Sequence, residues 1–286
     1  MEATHERAFS FLVDRVWQHR LIRWGLVLLS LMGIGFLIVP LLSPHPPDQI
    51  SPKERFSPPS SEHWFGTDEV GRDLFVRVFA GGRLSLTAGA SVVLLSGGIG
   101  LFFGVLIGYF GGWLDRVMMR VVDIMLAFPP LILALALSAA LGPGLFNAVL
   151  AIVIIKIPVY LRLARAEVLR LRESLFVLAA VTFGNPPFRI IFRHVLPNAV
   201  TPIFVQMTVD IGEAILLIST LGFLGLGAKP PSPEWGAMIS QGWKHLMDHW
   251  WIPTFPGLFL FLSVTALNLI GDGLQDILDP KARTDP

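Results

Sequence analysis

The sequence predicts an all-α polytopic membrane protein with six transmembrane helices, and three observations support this fold class. Of the 286 residues, 53% are hydrophobic and only 15% are charged, against about 25% charged residues in a typical soluble domain. Six apolar runs are long enough to cross a bilayer, which takes about 20 residues per helix. Too little polar chain remains to cover six buried helices in a soluble core, so we expect lipid to be their solvent.

The predicted spans are, in order, residues 24–42, 84–109, 121–141, 145–161, 200–221 and 252–270. The first is not expected to be a cleaved signal peptide, because its apolar run exceeds the usual length of about 7–15 residues and no small-residue cleavage site follows. A soluble outer segment is predicted at residues 43–83. Pro129 and Pro130 fall within the third span and are expected to kink it.

The distribution of Lys and Arg predicts the orientation in the membrane. Six spans place both termini on one side, which carries fourteen of the 22 Lys and Arg residues, while the other side carries seven. The positive-inside rule therefore puts both termini in the cytoplasm. The predicted parts are a cytoplasmic N-terminal segment (1–23), the first helix with its external segment (24–83), a five-helix core (84–280) containing a cytoplasmic loop (162–197), and a cytoplasmic tail (281–286).

The cytoplasmic loop is the most informative part of the chain. Residues 162–173 carry four Arg, each of which costs about 2.5–3.5 kcal/mol at the bilayer centre, so this helical stretch must leave the membrane. The helix is predicted to continue through residue 183 and to end at Gly184 in the left-handed conformation. Asn185 is then expected to cap a second helix with Pro186 at its first position, and Pro197 is expected to end it.

The predicted second helix is amphipathic and short. Arg189 and Arg193 lie on one face, and the i, i+3, i+4, i+7 spacing predicts that the apolar face consists of Phe188, Ile191, Phe192 and Val195. Because isolated helices below about 12–15 residues are marginal in water, this one needs a surface on which to dock. Both an anionic lipid interface and the groove of a cytoplasmic protein fit the pattern, and the fixed corner between the two helices favours the protein.

The loop resembles the cytoplasmic motif of ABC importer permeases, in which Glu-Ala-Ala is followed by Gly and then by Ile-x-Leu-Pro. Leu178 and His194 stand where that motif has Glu and Ile, and the matching positions are Ala179, Ala180, Gly184, Leu196 and Pro197. Other stretches resemble the second permease subunit of the dipeptide/oligopeptide and nickel importers. They include "FGTDEVGRD" (65–73), "GYFGGWLDRVMMRVVDIMLAFP" (108–129), "LGFLGLG" (221–227), "PPSPEWGAMI" (230–239) and "NLIGDGLQDILDP" (268–280).

The resemblance implies the fold of a type I ABC importer permease in a bacterial or archaeal cytoplasmic (inner) membrane, forming half of a pathway for dipeptides or oligopeptides. It implies a second homologous permease in a heterodimer, two cytoplasmic ATPase subunits, an external substrate-binding protein and membrane lipid as partners, and no nucleic acid. This chain is expected to bind no cofactor and to catalyse no reaction, because the ATPase subunits use ATP and Mg²⁺. The implied ATPase-coupling residues are Ala179, Ala180, Gly184, Phe188, Arg189, Ile191, Phe192, Arg193, His194, Leu196 and Pro197.

Ionisable residues within the predicted spans are candidates for the translocation path, because such residues are costly there and usually functional. These candidates are Asp123, Lys156, Asp210 and Glu213. Asp210 and Glu213 are three residues apart and share one helix face, so we expect both to face the pore, where one meets the substrate or a partner cation. Lys156 has an equally good alternative, which is to extend towards the cytoplasmic interface.

Two other function classes fit the sequence less well. An ion-coupled secondary transporter could use Asp210 and Glu213, although the inverted repeats typical of that class are not found. An intramembrane enzyme needs a cluster of reactive or metal-binding side chains, whereas the predicted spans hold only scattered charges. Within the importer class, nickel or another small solute is an alternative cargo. Two motifs resemble functional ones but lack essential residues. The P-loop-like stretch 66–73 lacks the required Lys and Ser/Thr, and it is predicted to be a turn before a helix at 74–83. His245 and His249 have the i, i+4 spacing of a zinc pair but lack a third ligand.

Overall fold

The computed structural model describes residues 19–278, and this part of the chain is almost entirely helical. Residues 1–18 of the predicted N-terminal segment and the tail at 281–286 lie outside the described residues. A single isolated β-bridge joins Thr67 to Asp73, and a short 3₁₀ turn covers Pro52–Glu54. The α-helices are α1 (Arg20–Leu42), α2 (Leu74–Phe110), α3 (Gly112–Leu126), α4 (Pro130–Leu141), α5 (Leu145–Arg172), α6 (Leu175–Thr182), α7 (Pro187–Phe223), α8 (Trp235–Trp243) and α9 (Trp251–Leu278).

Five of these helices, α1, α2, α5, α7 and α9, are long and apolar enough to cross a membrane, and α3 with α4 makes a sixth if the pair is one span. The pair is bent by 96° at the break that contains Pro129, which confirms the predicted kink. Several helices extend well beyond the apolar runs, because polar residues with high helix propensity continue a helix rather than end it. The predicted separate helix at 74–83 is accordingly wrong, since those residues are the first turns of α2.

The centre of the bundle is formed by α2, α5 and α7. Val92, Ile152, Ala164 and Ile218 are all fully buried in this core. Large apolar side chains point outwards around it, as expected where lipid is the solvent. Trp24, Leu31, Leu94 and Phe261 are each at least 65% exposed.

The bundle has two distinct ends. At one end α6 joins the end of α5 to the start of α7. At the other end the start of α5 meets the end of α7, where the Gly144 N–H donates to the Leu226 carbonyl at 3.1 Å. Arg77, which is fully buried at this second end, donates to the carbonyls of Pro47 and Pro231 at 2.8 and 3.1 Å. The guanidinium thereby ties the segment after α1 to the segment before α8.

Helix α8, which the sequence did not predict as a helix, lies buried at this second end. Trp235 is fully buried and its indole N–H donates to the Val78 carbonyl at 2.9 Å. Glu234 caps the helix, because its carboxylate accepts from the N–H groups of Gly236 and Ala237 at 2.8 and 2.9 Å and from the Ser219 hydroxyl at 3.0 Å. Burial raises the pKa of Glu234, although these three hydrogen bonds oppose the shift.

Candidate functional site

The corner between α5 and α7 is built from three separate elements rather than two. The predicted continuous helix through residue 183 is wrong, because α5 ends at Arg172 and α6 starts at Leu175. Ser174 has extended backbone angles at the N-terminal edge of α6, and its hydroxyl donates to the Leu171 carbonyl at 2.5 Å. Serine hydroxyls that bond to nearby backbone in this way compete with the helix, which explains the break.

Gly184 ends α6 in the left-handed conformation, with φ 74°, as predicted. The Gly184 N–H donates to the Val181 carbonyl at 2.9 Å and the Asn185 N–H donates to the Ala180 carbonyl at 3.2 Å, which is the Schellman pattern. The Asn185 side chain also donates to the Ala180 carbonyl, at 3.0 Å. The predicted cap was therefore wrong, because Asn185 closes the preceding helix.

The next helix begins one residue later than predicted and does not stop where predicted. Pro186 precedes α7 and Pro187 is its first residue. Residues Ile191–Val195 form a π-helical turn, in which the Leu196 N–H donates to the Ile191 carbonyl, and the chain then continues as α-helix to Phe223. The prediction that Pro197 ends a short helix is wrong, because the wider π turn just before it re-registers the hydrogen bonds that a proline would otherwise break. The corner and the span are thus one helix.

The predicted apolar face of this helix is divided between two environments. Ile191 and Val195 are at most 1% exposed and pack against α5 and α6. Phe188 and Phe192 are 62% and 60% exposed. The spacing correctly identified apolar positions, but it could not show that half of them pack within the chain.

An exposed apolar surface results at this end of the bundle, and we call it the α6–α7 patch. It consists of Leu175, Leu178, Val181, Phe183, Phe188 and Phe192. The other residues that the resemblance assigned to coupling lie around it: Ala179, Gly184, Arg189, Arg193 and Pro197 are exposed, His194 and Leu196 are half-buried, and Ala180 is buried. A concentration of exposed apolar side chains on one short segment is typical of an interaction surface.

Three of the four ionisable candidates meet between α5 and α7. The Lys156 ammonium lies 2.6 Å from Glu213 Oε2 and 3.7 Å from Asp210 Oδ1. The Gln206 amide also donates to Asp210 Oδ1, at 3.0 Å. Lys156 is only 8% exposed at its side chain, so it is held by the carboxylates rather than extended towards the end of its helix. Within this chain the cation that meets both carboxylates is therefore Lys156, and the predicted contact with a substrate in the pore stays a prediction.

These side chains line a cleft of about 250 Å³ beside the bend between α3 and α4. The rest of its wall is mainly apolar and includes Met125, Phe128, Leu133 and Val159. The fourth candidate, Asp123, lies outside this cleft and pairs with Arg162. It lines a separate surface depression together with Asp115, which binds Arg165 at 2.7 Å.

The P-loop-like stretch and the two histidines have structural roles. In the P-loop-like stretch, Arg72 pairs with Asp68 at 2.6 Å and Asp73 caps α2 by accepting from the Val76 N–H at 2.9 Å. His249 stacks on Phe56, with 4.3 Å between ring centroids. Within residues 19–278 no group of three or more His, Cys, Asp or Glu residues is arranged to hold a metal ion.

Comparison with known proteins identifies the family. Residues 100–284 match the family model described as binding-protein-dependent transport system inner membrane component. The chain is 50% identical over 256 residues to the probable D,D-dipeptide transport system permease protein DdpC of Escherichia coli (90% of this chain, 86% of that protein). It is 45% identical to the dipeptide transport system permease protein DppC of Alkalihalophilus pseudofirmus (91% and 86%). It is 41% identical to the glutathione transport system permease protein GsiD of Pectobacterium atrosepticum (93% and 89%).

These similarities decide between the function classes that the sequence left open. They favour an importer permease over an ion-coupled secondary transporter, and the family is one of transport proteins rather than enzymes. They also agree with the multi-pass helical architecture. The chain belongs to the binding-protein-dependent transport system inner membrane component family, the permease subunits of ABC importers.

Proposed function

We propose that this permease forms half of a translocation pathway for short peptides and pairs with a second, homologous permease that completes the pathway. Two cytoplasmic ATPase subunits drive the pair with ATP and Mg²⁺, and an external binding protein delivers the substrate. The cargo proposal is supported by the relatives, whose names refer to D,D-dipeptide, dipeptide and glutathione transport. Nickel is the less supported alternative, because none of these relatives is named for it.

The α6–α7 patch is the observation that carries the proposal. To move a gate from a 1:99 to a 99:1 population, a partner must favour one state by about 5.5 kcal/mol. Phe188 and Phe192 project from the first turns of α7, and the same helix carries Asp210 and Glu213 at the cleft. An ATPase that grips the patch would therefore act on the pathway through a continuous helix.

The orientation follows from charge. We place the α6–α7 patch and both termini in the cytoplasm, because the positive-inside rule assigns the Arg-rich end of the bundle to that side. Arg189 and Arg193 are exposed beside the patch. The opposite end, with α8 and the segment 43–73, then faces the binding protein.

Crosslinking can test the ATPase contact directly, because the chain contains no Cys and a single introduced thiol has no background. Phe192→Cys in the assembled importer is expected to crosslink to a soluble ATPase subunit. Leu94→Cys, which is 65% exposed on α2, is the matched control and should contact no soluble subunit. Ile191 is unsuitable for this purpose because it is 1% exposed. Capture of phospholipid alone by Phe192→Cys would contradict the coupling proposal.

The Phe192→Cys variant also tests the orientation in the membrane. A membrane-impermeant thiol reagent should label it in inverted vesicles and leave it unlabelled in spheroplasts. The cargo is tested by transport. In proteoliposomes with all subunits, ATP-dependent uptake of labelled dipeptides is expected. Uptake of nickel ions without uptake of peptides would contradict the peptide proposal and support nickel as the cargo.

A further inference from the structure

The cleft beside the α3–α4 bend carries an unbalanced charge. Among the residues that line it, Lys156, Asp210 and Glu213 are the ionisable ones. With one ammonium and two carboxylates, the cleft has a formal net charge of one negative unit. Lys156 approaches Glu213 more closely, at 2.6 Å, than Asp210, at 3.7 Å. Asp210 is therefore the less fully compensated of the two carboxylates.

The hydrogen-bond donors beside Asp210 within the chain are neutral. Its Oδ1 accepts from the Gln206 amide at 3.0 Å, and the buried Tyr160 hydroxyl, which has no other partner among the described residues, lies beside the same carboxylate. Asp210 is only 4% exposed while it lines the cleft. Neutral donors do not neutralise a buried charge, which is costly to leave uncompensated, so the cleft is suited to a cation that enters it.

The wall of the cleft restricts the chemistry of that cation. Phe128, Leu133 and Val159 form apolar surface beside the carboxylates. A primary ammonium provides three donors and a positive charge, and its hydrogen bonds to a carboxylate are charge-assisted. An ammonium that carries an apolar group satisfies both the charge and the wall. The amino terminus of a peptide, with its first side chain, has this composition.

We propose that Asp210 and Glu213 form a subsite that holds the charged amino terminus of the peptide as it passes through the permease. This inference rests on the proposed function as a peptide pathway. The same ammonium chemistry could come from a lysine of the second permease, so the experiment must distinguish the two sources.

Thiol modification in the assembled importer measures the charge of the cleft without relying on the binding protein. Val159→Cys places the only Cys of the chain in the cleft wall, one helical turn from Lys156. A methanethiosulfonate reagent with an ammonium group should modify it about tenfold faster than one with a sulfonate, after correction for their rates with a free thiol. Glu213→Gln or Asp210→Asn should reduce this preference, and Glu213→Asp, which keeps the charge, should retain it. Absence of any preference in the assembled importer would mean that a cation of the second permease already occupies the site, which overturns the proposal.

Protection by peptides identifies the group that binds. Trialanine should slow modification of Val159→Cys, whereas N-acetyl-trialanine at the same concentration should not, and Glu213→Gln should abolish the protection. Equal protection by both peptides, or none by either, overturns the subsite. These outcomes differ from a failure of the proposed function, in which the unmodified importer takes up no peptide at all.

Discussion

Lys156 of α5 and Glu213 of α7 form an ion pair of 2.6 Å between the two helices that flank the corner. Helix α5 ends just before α6, and α7 starts just after it. The cleft and the α6–α7 patch are therefore connected through the same two helices. A rigid-body movement of the corner, of the kind that drives many switching transitions, would change the separation of these two side chains.

Lys156→Met is expected to lower the free energy of unfolding of the permease by about 3 kcal/mol, because removal of one partner from a buried ion pair leaves an uncompensated charge. Most of the loss should come from Asp210, whose side chain is 6% exposed, rather than from Glu213, at 52%. Thermal unfolding in detergent would measure it. The double variant with Lys156→Met and Asp210→Asn should recover much of the loss. A single variant as stable as the parent would contradict this charge assignment.

The long-range pairing in this cluster explains why the sequence predicted only part of the site. The 3-residue spacing placed Asp210 and Glu213 on one face of one helix, and the structure agrees. The partner, Lys156, lies 57 residues before Glu213, and no local periodicity reports such a separation. Asp123 is a candidate only because it is ionisable and lies within a predicted span, and it pairs with Arg162 away from this cluster.

In the fold as well, features set by local sequence were predictable, and features set by tertiary packing were not. Apolar run length located the spans, and the requirement for positive φ at a helix end located Gly184. The continuation of α7 past Pro197 depends on a π-helical turn that packs Ile191 and Val195 against neighbouring helices. Helix α8 was missed because it is only nine residues long and is held by burial of Trp235 rather than by its own periodicity.

Gly104→Val is expected to destabilise the bundle by about 1–3 kcal/mol, because the core has no room for a larger side chain. A Cβ at position 104 would lie 2.6 Å from the Leu161 carbonyl oxygen and 2.6 Å from the Ala164 Cβ. Gly98 lies on the same helix and has nothing within 4 Å of a Cβ position. Gly98→Val should therefore leave the melting temperature nearly unchanged. Equal melting temperatures for both variants would contradict the packing of α2 on α5.

Glu234→Ala is expected to cost about 1–3 kcal/mol, because it leaves buried donors at Gly236, Ala237 and Ser219 without an acceptor. The loss should be concentrated at α8, and faster hydrogen exchange of the Gly236 and Ala237 amides would detect it. A variant with unchanged protection of these amides would show that burial of Trp235 alone holds the helix.

The carboxyl of Glu234 also predicts a pH dependence. Because burial raises its pKa in the folded protein above the ordinary value of 4.5, the folded state retains a proton that the unfolded chain has lost. The folded state then binds more protons, so the contribution of this group to the free energy of unfolding falls as pH rises through the window that starts near 4.5. Unfolding of the parent and of Glu234→Gln, compared at increasing pH, should show the parent losing stability relative to the variant. A parent whose free energy of unfolding rises with pH relative to that of Glu234→Gln would contradict the assigned shift.

Phe192→Asp is expected to separate ATP hydrolysis from transport while leaving the permease folded and inserted. Phe192 is 60% exposed, so the charge should cost little within the chain, but it would face the apolar surface of an ATPase. Peptide uptake per ATP hydrolysed in proteoliposomes measures the effect. Leu94→Asp is not a suitable control, because Leu94 lies on the lipid-facing surface of α2 and a charge there would disturb insertion. Phe192→Leu, which keeps the apolar character, is the suitable control and should retain coupling. Unchanged uptake per ATP in Phe192→Asp would remove the patch from the coupling path.

Gly184→Val tests the corner itself rather than its surface. Gly184 has φ 74°, a conformation that costs an L-residue about 1–2 kcal/mol and a β-branched one more. Nothing lies within 4 Å of its Cβ position, so the effect of the substitution comes from the backbone alone. We expect the valine variant to assemble with its partners but to transport less peptide per ATP, because the angle between α6 and α7 relaxes. Gly184→Asn, whose side chain tolerates the left-handed region, is the matched control and should transport nearly as well as the parent. If the valine and asparagine variants transport equally, the fixed angle of the corner plays no part in coupling.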